Sequence, residues 1–176
     1  MRNKVNLLFI AALAIPFYSF SSTTTITNEA APAITVTRIL DGDTLEVKDD
    51  GELIRIRLVD IDAPEKSQPF GQRAKQKLSE LVKDADGVAV SSTGKDRYGR
   101  TLAKVYVKKC QPACLAYYVN AEMVKSGLAW AYRYHGKATS PTMEELESRA
   151  KQAKTGLWSL PDAVEPWRYR YEHKSQ

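Results

Sequence analysis

Residues 53–65 read Leu53-Ile54-Arg55-Ile56-Arg57-Leu58-Val59-Asp60-Ile61-Asp62-Ala63-Pro64-Glu65. Ile54, Ile56 and Leu58 fall on one side of an extended chain and Arg55, Arg57 and Val59 on the other, the period-two pattern of a strand with one buried face. The arginines on the second face either meet solvent or reach into a polar cleft. Just upstream, Asp49-Asp50-Gly51 is a hairpin turn, so Thr44-Leu45-Glu46-Val47 is the partner strand. A further strand begins over Ile34–Ile39, and Asp41-Gly42-Asp43 is the turn between the two.

Downstream the period changes. Phe70, Ala74, Leu78, Leu81 and Val82 recur at helical spacing between Lys75, Lys77 and Glu80, an amphipathic helix over 70–82. Val88–Ser91 and Leu102–Val107 read as short strands around a polar loop, Thr93 to Arg100. Asn120 is placed to cap a short helix that runs through Ser126 and stops at Gly127. Ser140-Pro141 opens a last helix, supported by Glu145/Arg149 and Glu147/Lys151 at i,i+4, and Gly156 ends it. Five strands of this length can close into a small barrel, with the helices covering its openings.

A chain of 176 residues, 43 % hydrophobic and 27 % charged, fits one modest domain better than two. At the start, Arg2 and Lys4 precede an apolar run from Val5 to Phe20, followed by a Ser/Thr-rich stretch. This pattern is an export signal over 1–21, with Ser19 and Ser21 as the small residues before a cut at Ser22, or else an uncleaved membrane anchor. Both readings put the domain outside the cytosol, periplasmic or secreted. Residues 22–33 are then a flexible linker, 34–160 the folded domain and 161–176 a polar tail whose Trp167, Tyr169 and Tyr171, interleaved with Arg168 and Arg170, can meet nucleic acid or, in the preferred reading, fold back on the surface. Nothing in the sequence requires more than a monomer, and with the leader cleaved no stable membrane partner is expected.

Two histidines and two cysteines are too few for a zinc module or an iron–sulfur centre, so any metal chemistry uses carboxylates and a hard cation. The formal net charge of +5 hides an asymmetry: residues 22–65 carry a net −6 and residues 66–109 a net +7. An acidic segment suits cations and a basic one suits phosphates, although two solvated faces would give the same totals. Asp43 at the start of one strand and Asp62 and Glu65 past the end of another can converge on calcium or magnesium, or serve as ordinary turn aspartates. Arg57 and Arg100 each present a rigid fork that can hold two phosphate oxygens, or form structural ion pairs with nearby aspartates. Tyr132 and Tyr134 alternate after Trp130 and share one side of an extended segment, where they can stack on a base or take a structural place.

Five blocks now stand in order: Ile39-Leu40-Asp41-Gly42-Asp43-Thr44, Arg57 through Glu65, Asp96-Arg97-Tyr98-Gly99-Arg100, Gly127-Leu128-Ala129 with Tyr132 and Tyr134, and Gly156-Leu157-Trp158. Together they resemble the staphylococcal nuclease family. The resemblance implies a five-stranded oligonucleotide-binding-type (OB-fold) barrel covered by three α-helices. It also implies a calcium-dependent, sugar-nonspecific nuclease that cuts DNA and RNA to leave 3′-phosphate ends. By position, Asp43 and Asp62 are calcium ligands, the Ala63 carbonyl contributes, and Glu65 acts through water and orients or deprotonates the attacking water. Arg57 and Arg100 hold the scissile phosphate, Arg100 also assisting departure of the 5′ oxygen, while Tyr132 and Tyr134 line the nucleotide pocket.

A noncatalytic nucleic-acid-binding domain is the alternative. Retention of all three acids beside a polyanion site argues against it. The sequence departs from the family in an insertion, Lys108 to Cys114, before the second helix. In an exported protein its Cys110 and Cys114 close a small disulfide around Pro112, or remain free thiols.

Overall fold

The computed structural model describes residues 33–173. The leader and nearly all of the linker lie outside the described residues. Strand β1 (Thr35–Ile39) pairs antiparallel with β2 (Thr44–Asp49), which pairs antiparallel with β3 (Glu52–Leu58). Asp49 faces Glu52 across the β2–β3 turn, so the loop is Asp50-Gly51, both at positive φ (46° and 84°), as a twisted two-residue hairpin demands. The short β4 (Ile61–Asp62) follows, then α1 (Gly71–Val82).

Next come β5 (Gly87–Lys95) and β6 (Thr101–Cys110), which run further than the hydrophobic pattern suggests. They stay paired to Lys95 opposite Thr101, because a register shift between Ser92 and Gly94 absorbs the polar stretch. The chain then adds β7 (Cys114–Tyr118), α2 (Val119–Lys125), the two-residue strands β8 (Trp130–Ala131), β9 (Arg133–Tyr134) and β10 (Lys137–Ala138), and α3 (Pro141–Gln152). A 3-10 turn (Gly156–Ser159) and α4 (Pro166–Glu172) complete it.

The expected five-stranded barrel with three helices is not what forms. The main sheet is open, mixed and six-stranded, ordered β1-β2-β3-β6-β5, with β7 added beside β6. Among the described residues no ladder joins β1 to β5, the two ends of that path. Closure needs an end strand long enough to meet the other in register. β1 offers five residues, interrupted by a register shift between Val36 and Arg38. β6 is shared instead: its first residues run parallel to β3, and its last five pair with β7, the strand that begins at Cys114, the last residue of the Lys108–Cys114 insertion. The fourth helix, α4, falls in the segment read as a surface tail.

The core lies between the sheet and α1–α3. Leu45, Val47, Ile56, Leu58, Ala103, Val105 and Val107 alternate inward from β2, β3 and β6 against Ala74, Leu78, Met123 and Met143. Ser140 caps α3 as its position predicts, accepting from the Met143 amide at 3.4 Å. Asn120 does not cap α2. It is fully buried, accepts from the Val105 amide at 3.1 Å, and donates to the carbonyls of Val59 (2.9 Å) and Ala103 (3.2 Å). It thereby ties the helix to β6 and to the loop that leads into Asp62.

Candidate active site

The acids are brought together by turns. The Asp41 carboxylate accepts from the Asp43 amide at 3.0 Å, and the Leu58 amide donates to the Asp43 carbonyl at 2.8 Å, so the 41–43 turn sits at the end of β3. Gly42 is needed there because α1 packs directly on it: a Cβ would lie 2.6 Å from that of Ala74 and 2.7 Å from that of Ala63. The β4–β8 pairing sets Asp62 opposite Trp130, and the Tyr132 amide donates to the Asp60 carbonyl at 2.9 Å.

These elements border an open cleft of about 870 Å³, lined by Asp43, Arg57, Asp62, Ala63, Glu65, Arg100 and Tyr132 among others. Tyr134 is not part of that lining. It is mostly exposed, and its ring meets the His135 ring edge-on at 4.2 Å.

Asp43 and Asp62 are buried and share one nitrogen of Arg57, at 3.1 and 2.8 Å. The other terminal nitrogen of Arg57 donates to the carbonyls of Leu58 (2.7 Å) and Ile61 (2.9 Å). The remaining Asp43 contacts are the Thr44 hydroxyl at 3.0 Å and the Ala63 amide at 2.7 Å. Burial pushes the Asp43 carboxyl up to about 7; the Arg57 guanidinium opposes that shift, and the Asp41 and Asp62 charges add to it.

Arg100 is positioned by Asp96 across a tight turn. The Asp96 carboxylate accepts from the amides of Tyr98 and Arg100, both at 2.9 Å, and from Arg100 Nε at 2.7 Å. Burial works against the Asp96 charge, yet these bonds hold its carboxyl below the usual range. Because Nε alone is used, the two terminal nitrogens of Arg100 make no hydrogen bond among the described residues.

One residue of the site escaped the sequence reading. Arg170, on α4, forks onto Asp62 at 2.8 and 3.2 Å and reaches Glu65 at 2.8 Å. Burial opposes its charge, but the two carboxylates outweigh that cost and raise its pKa. No signal within the 34–160 stretch points to it. Its own neighbourhood, Trp167-Arg168-Tyr169-Arg170-Tyr171, shows only interleaved arginines and aromatics.

Among the described residues, no three His, Cys, Asp or Glu side chains are gathered as a ready metal cage. Guanidinium groups stand between the acids instead. The donor set still fits a hard cation in kind, since the Asp43, Asp62 and Glu65 carboxylates and the Ala63 carbonyl all offer oxygen and a positive group already lies between Asp62 and Glu65.

A family model described as "Staphylococcal nuclease homologue" matches residues 55–160, more than half of the chain. The chain belongs to the staphylococcal nuclease family. Among relatives, it is 49 % identical over 147 residues to "Protein ParB" of Escherichia coli, covering 80 % of each chain. It is 48 % identical over 142 residues to "Micrococcal nuclease" of Shigella flexneri, covering 80 % of this chain and 81 % of that one. An "Uncharacterized endonuclease" of Haemophilus influenzae is 42 % identical over 140 residues, with coverage of 79 % and 73 %. The family match runs from within β3 through the 3-10 turn, taking in Arg57, Asp62, Glu65 and Arg100, while Asp43 lies before it and α4 with Arg170 beyond it.

Proposed function

We propose that this member of the staphylococcal nuclease family is a calcium-dependent phosphodiesterase that cuts DNA and RNA without strong base preference and leaves 3′-phosphate ends. The observation that carries the proposal is one open cleft bordered by buried Asp43 and Asp62, by Glu65, and by two arginines, Arg57 on β3 and Arg100 on the turn into β6. Bound calcium would supply charge to bring an anionic diester beside these carboxylates.

The side chains divide the remaining work. Glu65 orients the attacking water and takes its proton as the new bond to phosphorus forms. The bond from phosphorus to the 5′ oxygen breaks, and that oxygen leaves beside Arg100, taking a proton from solvent water to become a hydroxyl. Arg100 offers its terminal nitrogens to the nonbridging oxygens, which carry the growing charge. Arg57, turned inward, aligns Asp43 and Asp62 and adds its positive charge to the cleft wall behind the phosphate. Tyr132 lies where a base or sugar can rest on its ring. Contacts to phosphate and sugar carry little base information, which accounts for weak sequence preference.

Export of the enzyme is part of the proposal. The basic, apolar start of the sequence and the Cys110–Cys114 disulfide support it. No helix among the described residues is long and apolar enough to cross a membrane. Incubating the purified protein with DNA and with RNA, with calcium or chelator, and identifying the new ends tests the reading. Calcium-dependent loss of both substrates with 3′-phosphate products is expected. Intact substrates across calcium concentration and pH would overturn it, and 5′-phosphate ends would overturn the mechanism.

A further inference from the structure

We propose that α4 is an intramolecular latch whose Arg170 guanidinium occupies the carboxylate oxygens a divalent cation must use, so that cation binding lifts the helix. The inference rests on the reading of Asp62 and Glu65 as the cation's carboxylates. Arg170 donates to both oxygens of Asp62 and to Glu65 Oε1. A cation held by the same two side chains cannot share those oxygens with a fork already seated on them.

The attachment of α4 is suited to release. Its seven residues include one buried side chain, Pro166. The preceding segment is pinned by Gln68, whose amide donates to the Val164 carbonyl at 2.5 Å, and the Tyr169 hydroxyl donates to Ser67 at 3.1 Å. Between the arm and Trp130, Leu157 and Leu160 lies a cavity of about 220 Å³, so the arm rests on the domain without filling the space beneath it. The Gln68 bond holds Val164 at the start of the arm, and Arg170 lies near its end. Loss of the Arg170 contacts frees the helix while the Gln68 tether keeps it near.

Calcium chloride titrated into the full-length protein, R170Q and R168Q, combined with hydrogen exchange over residues 166–172, tests the latch. R170Q is expected to bind calcium about tenfold more tightly, the scale of charge-assisted hydrogen bonds no longer in competition. R168Q removes the same charge from the same helix, but its partner is Glu172 at 2.8 Å, outside the cleft, so its affinity should match wild type. Exchange across α4 should rise in metal-free R170Q, and in wild type on adding calcium. Equal affinity in wild type and R170Q, equal tightening in both variants, or an α4 that stays protected when calcium binds would each overturn the latch while leaving the calcium site standing. Absence of calcium binding in all three proteins would instead overturn the calcium reading, and the competition with it.

Discussion

Four contacts turn the Arg57 guanidinium inward, to the carbonyls of Leu58 and Ile61 and to the carboxylates of Asp43 and Asp62, whereas Arg100 is held through Nε and leaves its fork facing the cleft. The two arginines should therefore separate in mutagenesis. Arg57→Ala leaves buried Asp43 without its counter-charge and Asp62 with Arg170 alone, and should cost about 3 kcal/mol of stability as well as activity. Arg100→Ala breaks a pair nearer the surface and should stay within about 1 kcal/mol of wild type, while turnover falls about 100-fold or more. Denaturant melts beside initial rates check both, and an Arg57→Ala protein of normal stability would contradict the geometry. Asp43 makes a second prediction, for protein in chelator. The folded chain holds its proton to about 7, whereas the unfolded chain releases it near the ordinary 3.8. The native state therefore binds more protons between those values, and stability from this group falls as pH rises through that window. Asp43→Asn should flatten the fall in Tm between about pH 4 and pH 7, and an unchanged slope in the variant would assign the titration elsewhere.

At the level of elements, Asn120 joins three parts that the site depends on: α2, β6 and the Val59 carbonyl just ahead of Asp62. Asn120→Ala removes the side-chain partner of the Val105 amide and the Val59 carbonyl, while the Ala103 carbonyl keeps the Val59 amide at 3.0 Å, and should cost about 2 kcal/mol. Activity should drop with it because the β3–β4 connection loses its anchor. Unfolding midpoints in urea would show the loss, and a variant as stable as wild type would rule out this role. Asn120 also marks where reading the sequence stops. Periodicity exposes β2, β3, β6, α1 and α3, the Asp50-Gly51 turn and the Ser140 cap, because each depends on neighbours a few residues away. A buried asparagine reaching 15 and 61 residues back leaves no local trace, and it resembles a cap by position alone. β7 is likewise set by pairing with β6, and the open edges of the sheet depend on which strands meet, a long-range choice. The acids and both arginines were legible as blocks in family order. Arg170 was not, since it meets Glu65 across 105 residues of chain.

Across the whole molecule, the acidic cleft continues into a basic strand. On β6, residues 104, 106 and 108 share the outward face that begins at the cleft-lining Leu102, and the Tyr106 ring stacks on Tyr118 at 4.8 Å. A substrate strand leaving Arg100 along this face would set phosphates near Lys104 and Lys108. Each lost phosphate contact should lower the slope of log affinity against log salt for single-stranded DNA by about 0.7. The paired substitution Lys104→Gln with Lys108→Gln should therefore flatten that dependence while leaving the cleavage step intact. Binding isotherms at several salt concentrations test it, and an unaltered slope would route the strand elsewhere. The far end of β6 carries the Cys110–Cys114 bridge, with the Cys110 amide also held by Asp86 at 2.7 Å. A reductant such as dithiothreitol would thus act on the hairpin tip, at the opposite end of the strand from Arg100. Hydrolysis should continue in a reducing buffer while the tip becomes easier for a protease to nick, so the thiol state would govern durability and leave turnover alone.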